Sequence, residues 1–249
     1  MARLRVFAGP NGSGKSTIKN ELRPEWLGVY INPDEIEKTI RTEGGLDLAR
    51  FGIDGVILSA LHDFIGRSSL LRIAGLLDAA RQITLVNGRI GFEHVVVNSY
   101  FASVLSDFIR HELLTTGISF TFETVMSSED KVAFLRKAQA QGFRTYLYFV
   151  ATDDPDINLA RVRQRVREGG HDVPPDKIVE RYHRSIALLN DAVEYTNRTY
   201  IFDNSGDEPL WLAEVTDGQK LSIHADQLPH WFTDSTLWAS FAADADPDA

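Results

Sequence analysis

The stretch FAGPNGSGKST near the N-terminus follows a short apolar run and precedes a helix-like segment. Within it the spacing Gly-x-x-x-x-Gly-Lys-Ser is met by Gly9, Gly14, Lys15 and Ser16. A strand, a glycine-rich loop and a helix in this order form a phosphate-binding loop, the Walker A motif or P-loop. In such folds the loop opens at the carboxyl end of a strand in a sheet. No other stretch constrains the fold as strongly.

The residue types in this loop suit the binding of a nucleoside triphosphate. Glycines let the backbone curl and bring its N–H groups close to phosphate oxygens, and the following helix adds its positive N-terminal end. Lys15 would contact the β and γ phosphates, and the Ser16 hydroxyl would reach Mg²⁺. A glycine-rich turn that matches by chance is the weaker alternative. The predicted nucleotide-binding residues are Gly9, Asn11, Gly12, Ser13, Gly14, Lys15, Ser16 and Thr17.

Strand and helix patterns alternate along the chain, which indicates an α/β fold. Strands are predicted at residues 4–8, 28–31, 119–125, 145–151 and 199–202. We therefore expect a P-loop NTPase fold of the kinase-like type over residues 1–249, with a mostly parallel sheet flanked by helices.

A mainly helical inserted subdomain is predicted at residues 45–116, with helices near 54–65, 69–80 and 99–114. Asn87-Gly88 within it predicts a hairpin, because both central positions of a type I′ turn require positive φ. Asp217-Gly218 predicts a C-terminal β-hairpin on the same grounds. The acidic end of the chain, residues 242–249, is predicted to be a disordered tail.

Composition narrows the expected environment and partners. The chain has no cysteine and no apolar run long enough to span a bilayer, which favours a cytoplasmic protein without a membrane partner. Its formal net charge of -9 makes nucleic acid an unlikely partner. The expected partner is a small-molecule substrate.

Asp34 is the first candidate for a catalytic carboxylate. In VYINPDEI it follows a predicted strand, at the sheet edge where ligands bind in open parallel sheets. There it could orient and deprotonate an acceptor hydroxyl. The alternative is that Asp34 caps a helix beginning at Glu35.

The segment FTFETV supplies a second candidate site. Alternation places Phe122 and Thr124 on one face of the strand and Glu123 on the other. A carboxylate in an apolar strand is costly unless a cation or a polar group pairs with it. Bound Mg²⁺ or a substrate hydroxyl would do so, and a buried structural ion pair is the alternative.

The segment NLARVRQRVREGGHDVP predicts an arginine-rich helix. Its apolar stripe leaves Arg161 with Arg165 on one flank and Arg163 with Arg167 on the other. One pair could therefore close over transferring phosphate as part of a lid, with flexible glycines beside the helix. A solvated basic face is the alternative.

Together, GPNGSGKST, NPDEI, FETV, RVRQRVREGGHDVP and RYHRS resemble the zeta-toxin-like P-loop kinases. The resemblance implies ATP as a cofactor and gives Asp34 the role of substrate-activating carboxylate. It implies substrate or metal roles for Glu123 and Thr124, and phosphate contacts for Arg161 and Arg165, with Arg181 a further candidate. Known members phosphorylate the 3′-hydroxyl of the amino sugar in UDP-N-acetylglucosamine, and some are toxins restrained by an antitoxin.

Three functions follow from these observations. The leading hypothesis is an ATP- and Mg²⁺-dependent kinase in which Lys15, Asp34, Arg161 and Arg165 are catalytic, and Ser16 and Glu123 bind the metal. A regulatory ATPase or nucleotide sensor with a protein-binding insertion is the second. A polynucleotide kinase is the third, and the acidic net charge disfavours it.

Overall fold

The computed structural model describes residues 1–169 and 172–244. Its strands in chain order are β1 Arg3–Ala8, β2 Val29–Ile31, β3 Gly45–Asp47, β4 Thr84–Val86, β5 Arg89–Gly91, β6 Phe120–Thr124, β7 Arg144–Ala151, β8 Arg198–Asp203, β9 Leu210–Thr216 and β10 Lys220–Ile223. Its helices are α1 Lys15–Glu21, α2 Pro24–Leu27, α3 Pro33–Glu43, α4 Leu58–Gly66, α5 Ser69–Ile73, α6 Leu77–Ala80, α7 Ser99–Thr116, α8 Glu129–Ala140, α9 Pro155–Arg167, α10 Pro175–Ala187, α11 Leu189–Glu194, α12 His230–Thr233 and α13 Thr236–Asp244.

The chain divides into two compact units. The core unit comprises residues 1–27 and 121–249, and the inserted unit comprises residues 28–120. The inserted unit is wider than the 45–116 segment predicted for it, because α3 packs against α7 and the Val29 N–H donates to the Ser119 carbonyl. The N-terminal elements β2 and α3 therefore group with the insertion.

The core unit is built on the predicted mostly parallel sheet, with strand order β10-β9-β8-β7-β1-β6. Strands β1 and β7 pair in parallel, as do β7 and β8. Five of the six β1 residues are buried, as expected of a central parallel strand covered on both faces. Phe7 stacks on Tyr148 at 4.7 Å, and Tyr148 stacks on Tyr200 at 5.1 Å, so aromatic contacts join β1, β7 and β8.

The predicted C-terminal hairpin extends this sheet. Strands β9 and β10 pair in antiparallel fashion around Asp217 and Gly218, whose φ values of 49° and 68° confirm the expected turn geometry. Beyond the hairpin, α13 continues to Asp244, so the predicted disordered tail at 242–249 is helical in its first three residues. Residues 245–249 lie outside the described residues, as do Gly170 and His171 of the predicted lid boundary.

The inserted unit contains a small antiparallel sheet, β3-β5-β4, and the helices α3 to α7. The predicted hairpin at Asn87-Gly88 is confirmed, with φ values of 50° and 77°. The helix predicted at 69–80 is instead two short helices, α5 and α6. Gly75 separates them with a φ of 69°, a left-handed conformation that interrupts helical hydrogen bonding.

Helix α3 begins earlier than the sequence suggested. The Asn32 side chain accepts from the Asp34 N–H at 2.9 Å, so Asn32 is the N-cap and Pro33 is the first helical residue. The alternative in which Asp34 caps a helix from Glu35 is therefore wrong. In the described part of the chain, no helix is both long and apolar enough to cross a membrane.

Candidate nucleotide site

The glycine-rich loop joins β1 to α1 in the core unit. Gly9 and Gly14 have φ values of 138° and 91°, a region of positive φ that residues with a side chain rarely adopt. Gly14 forms the left-handed N-cap of α1, so the helix begins at Lys15 and directs its N-terminal end into the loop. Because β1, β7 and β8 are parallel, their carboxyl ends meet at the edge where this loop lies.

Two polar atoms inside the loop are buried without a partner. Among the described residues, neither the Asn11 side-chain oxygen nor the Ser13 hydroxyl has a hydrogen-bond partner. Buried polar groups are nearly always hydrogen-bonded, so unpaired ones indicate that a ligand or water completes the site.

Lys15 lies folded over the loop. Its ammonium group donates to the Gly9 and Pro10 carbonyl oxygens, both at 2.8 Å. Burial lowers the pKa of Lys15 to about 8, the Glu123 charge opposes this shift, and the Arg165 charge adds to it. The lysine is therefore a partly buried cation with a lowered pKa, an arrangement that a bound anion would relieve.

Ser16, Glu123 and Lys19 form a polar cluster at the start of α1. The Ser16 hydroxyl donates to the two Glu123 carboxylate oxygens at 3.2 and 3.4 Å. Lys19 Nζ lies 3.8 Å from Glu123 Oε1, and Lys19 was not among the predicted residues. The strand β6 thus presents Glu123 to the phosphate-loop hydroxyl, although 107 residues separate the two in sequence.

The oxygen donors of this cluster fit Mg²⁺. A hydroxyl and a carboxylate are hard ligands, and Mg²⁺ in phosphate sites keeps several waters and takes only one or two protein oxygens. Within the described ranges, no group of three or more His, Asp or Glu side chains could hold a metal by itself. Phosphate oxygens and water would have to supply the remaining ligands.

Helix α9 borders the site. Asp154 caps it by accepting from the Asp156 N–H at 2.7 Å, and Val162 packs in the predicted apolar stripe. Arg161 donates to the Asn204 carbonyl at 2.7 Å and to the Gly206 carbonyl at 3.3 Å, which ties α9 to the loop after β8. Arg165, one turn further, is close enough for its charge to lower the pKa of Lys15.

The structure places three further candidates, Asp34, Thr124 and Thr17, on α3, β6 and α1. Asp34 is an exposed residue on α3 of the inserted unit. The Thr124 hydroxyl accepts from the Met126 N–H at 3.1 Å, and Thr17 is exposed in the first turn of α1. The core unit therefore brings together Lys15, Ser16, Glu123 and Arg165, and the roles of all the candidate residues stay predictions.

Sequence inspection missed two asparagines that contact the loop, Asn158 and Asn204. A signal for each was present. Asn158 stands one turn before Val162, at a buried position of an otherwise apolar stripe, where an amide needs a partner. Asn204 follows β8 directly, at the carboxyl edge of the sheet.

This arrangement defines a P-loop fold with a nucleotide-type phosphate loop at the carboxyl edge of a mostly parallel sheet. The family model described as Zeta toxin matches residues 93–216, a span that includes Glu123, Arg161 and Arg165. Over this span the resemblance to the zeta-toxin-like P-loop kinases is confirmed.

Individual relatives are distant. An uncharacterized protein of Haemophilus influenzae is 23% identical over 176 residues, which are 71% of this chain and 89% of the relative. The structure of AvrRxo1-ORF1:AvrRxo1-ORF2 with sulphate ions matches 90% of this chain at a TM-score of 0.57 and 16% identity. The AvrRxo1-ORF1:-ORF2 structure with ATP matches 100% of this chain at a TM-score of 0.51 and 14% identity.

These structural likenesses establish the fold alone. This chain covers 61% and 65% of the two solved chains, less than two thirds of their length.

Proposed function

We propose that this chain is an ATP- and Mg²⁺-dependent phosphotransferase that transfers the γ-phosphoryl group to a hydroxyl of a small metabolite. The observation that carries the proposal is the cluster at the phosphate loop, where Glu123 accepts from Ser16 close to the partly buried Lys15 cation. A carboxylate on a neighbouring strand beside the loop hydroxyl suits Mg²⁺, and the lysine suits the phosphates. The zeta toxin family match supports the kinase class.

Each residue has a distinct proposed role. Backbone N–H groups of the loop and the α1 N-terminus bind the phosphates, and Lys15 leaves its two carbonyl partners to contact the β and γ phosphates. Ser16 and Glu123 would hold Mg²⁺, which supplies charge neutralisation at the phosphates when bound. Arg165 adds positive charge where negative charge develops on the transferred group.

The acceptor would be activated by Asp34. An exposed carboxylate near the start of α3 can accept a hydroxyl proton without breaking a helix cap, because Asn32 performs the capping. A nucleotide-sugar such as UDP-N-acetylglucosamine is the first acceptor to test. If the protein acts as a toxin, an antitoxin protein would be its partner.

Incubation with γ-labelled ATP, Mg²⁺ and a panel of nucleotide-sugars and other metabolites tests this function. Label on a small-molecule hydroxyl is expected, and Asp34→Asn should abolish it while ATP still binds. If ATP is hydrolysed or held without labelling any acceptor, the kinase proposal fails and a regulatory ATPase or nucleotide sensor replaces it. Label on the 5′ end of an oligonucleotide would indicate a polynucleotide kinase.

The affinity for ATP should depend on pH through Lys15. Its lowered pKa means that the ammonium group loses its proton as the pH rises through about 8. Because the phosphates bind the protonated form, affinity should be full below that pH and fall by up to about tenfold per pH unit above it. Titration calorimetry from about pH 7 to about pH 9.5 measures this, with Lys15→Arg as the control that stays charged throughout.

A flat profile for the wild-type protein over this range would contradict the assignment of Lys15 as the phosphate-binding cation. An equally steep profile in Lys15→Arg would do the same, because it would point to another titrating group.

Glu123→Gln should weaken the response to Mg²⁺. The amide keeps the size of the side chain but removes the carboxylate charge beside Ser16, so half-saturation by Mg²⁺ should rise by about 10- to 100-fold. Lys19→Gln is the matched control, because it removes the cation near Glu123 and keeps the carboxylate. An unchanged Mg²⁺ requirement in Glu123→Gln would show that Glu123 does not bind the metal.

A further inference from the structure

Two asparagine side chains hold the phosphate loop from outside. Asn158 Nδ2 donates to the Asn11 carbonyl oxygen at 2.7 Å, and Asn204 Nδ2 donates to the Ser13 carbonyl oxygen at 2.8 Å. Asn158 is 0% exposed and Asn204 is 7% exposed. Burying an amide costs free energy unless the amide is hydrogen-bonded. These two bonds therefore offset the cost of burying the two asparagine side chains.

The two bonds set the direction of the loop's N–H groups. In a trans peptide the carbonyl of one residue and the N–H of the next point to opposite sides of the bond. Holding the Asn11 carbonyl toward Asn158 therefore turns the Gly12 N–H away from α9. Holding the Ser13 carbonyl turns the Gly14 N–H away from Asn204 in the same manner.

The loop glycines make room for the asparagines. A Cβ on Gly14 would lie 2.0 Å from Asn204 Nδ2, and a Cβ on Gly12 would lie 2.7 Å from the Asn158 carbonyl oxygen. Both distances are shorter than non-bonded atoms allow, so no larger residue fits at Gly14 beside the Asn204 side chain or at Gly12 against the α9 backbone. Glycine at these positions thus admits the asparagines as well as the phosphates.

Each asparagine is itself fixed by residues outside the loop. Asn158 Oδ1 accepts from the Thr152 hydroxyl, which orients the amide so that its NH₂ group faces the loop. The Tyr182 hydroxyl donates to the Thr152 carbonyl at 2.6 Å. Arg161 donates to the Asn204 carbonyl at 2.7 Å. The loop is therefore connected to the carboxyl ends of β7 and β8 and to helices α9 and α10.

We propose that Asn158 and Asn204 are positioning residues that preorganise the phosphate loop, so that its N–H groups point toward the nucleotide phosphates before ATP arrives. This inference rests on the proposed nucleotide-binding function. Because each asparagine donates to a loop carbonyl, we expect its effect to be transmitted through the Asn11 and Ser13 carbonyls.

Asn158→Asp and Asn204→Asp test the proposal, since each keeps the shape of the side chain and replaces the NH₂ donor by a carboxylate oxygen. The carboxylate would repel the loop carbonyl, so the dissociation constant for ATP at neutral pH should rise by about tenfold or more. Lowering the pH protonates the new carboxyl and restores an O–H donor, so the ratio of variant to wild-type affinity should recover. Asn197→Asp is the control, because Asn197 is bonded to Thr145 and Asp217 and not to the loop.

The outcomes are distinct. Weakened ATP binding in folded variants, with recovery at low pH and with Asn197→Asp near wild type, supports the proposal. Affinities within about twofold of wild type in folded variants overturn it, since a lost buried donor costs more than that. If the aspartate variants do not fold, Thr152→Val replaces them, because it keeps Asn158 and removes the hydroxyl that orients the Asn158 amide and also contacts the Asp154 carbonyl. Unchanged ATP affinity there overturns the role of Asn158. Failure of the wild-type protein to bind ATP would instead refute the proposed function.

Discussion

Replacing Lys15 by methionine is expected to lower phosphoryl transfer from ATP by about 10²–10³-fold, the effect typical of removing one preorganised charge from a transition state. Methionine retains most of the apolar stem of the side chain, so the loss should come from the missing ammonium group. The nucleotide-free fold should persist, because burial already disfavours the charged form of this lysine, as its lowered pKa shows.

Transfer of label from γ-labelled ATP, to an acceptor or to water, measures this effect. Lys177→Met is the matched control, because Lys177 is a half-exposed lysine paired with Glu180 on α10. Circular dichroism should show the same helix content in both variants. Activity of Lys15→Met above about a tenth of wild type would exclude Lys15 as the charge that stabilises the transition state.

Gly9→Ala is expected to destabilise the core unit by about 3 kcal/mol or more. A Cβ at this position would lie 1.9 Å from the Val150 carbonyl oxygen, which belongs to the central strand β7 and cannot move without disturbing the sheet. The φ of 138° adds backbone strain for any residue with a side chain. The substitution therefore affects the packing of the loop against the sheet, whatever ligand the loop binds.

Gly142→Ala separates these two causes. Gly142 also has a positive φ, 79°, but no atom lies within 4 Å of a Cβ placed there, so only about 1–2 kcal/mol of backbone strain is expected. Denaturant unfolding followed by tryptophan fluorescence is suitable, because the four tryptophans, Trp26, Trp211, Trp231 and Trp238, all belong to the core unit. Equal losses of unfolding free energy in the two variants would contradict the predicted clash with Val150.

Features governed by local backbone chemistry could be predicted from the sequence. Asn87-Gly88 and Asp217-Gly218 form their turns because two successive positive φ values favour these residue pairs. Asp154 before Pro155 begins α9 as expected, since an aspartate cap and a first-turn proline both suit a helix start.

The sequence predicted the boundaries of helices and units less well where the tertiary structure decides them. The periodicity of residues 69–80 suggested one helix, but the left-handed Gly75 divides it into α5 and α6. The boundary of the inserted unit at residue 28 depends on the packing of α3 against α7, and no local pattern between Gly28 and Asn32 reveals that packing.

The sequence by itself determined the phosphate loop, because strand, glycines, lysine and helix are consecutive residues whose chemistry is local. The tertiary structure decided what surrounds that loop. Glu123 reaches Ser16 across 107 residues and Asn204 reaches the Ser13 carbonyl across 191 residues, and these partners meet only because parallel strands bring their carboxyl ends to one edge of the sheet. Such contacts depend on strand order, and strand order is set by the packing of the whole core unit, which the loop sequence does not encode.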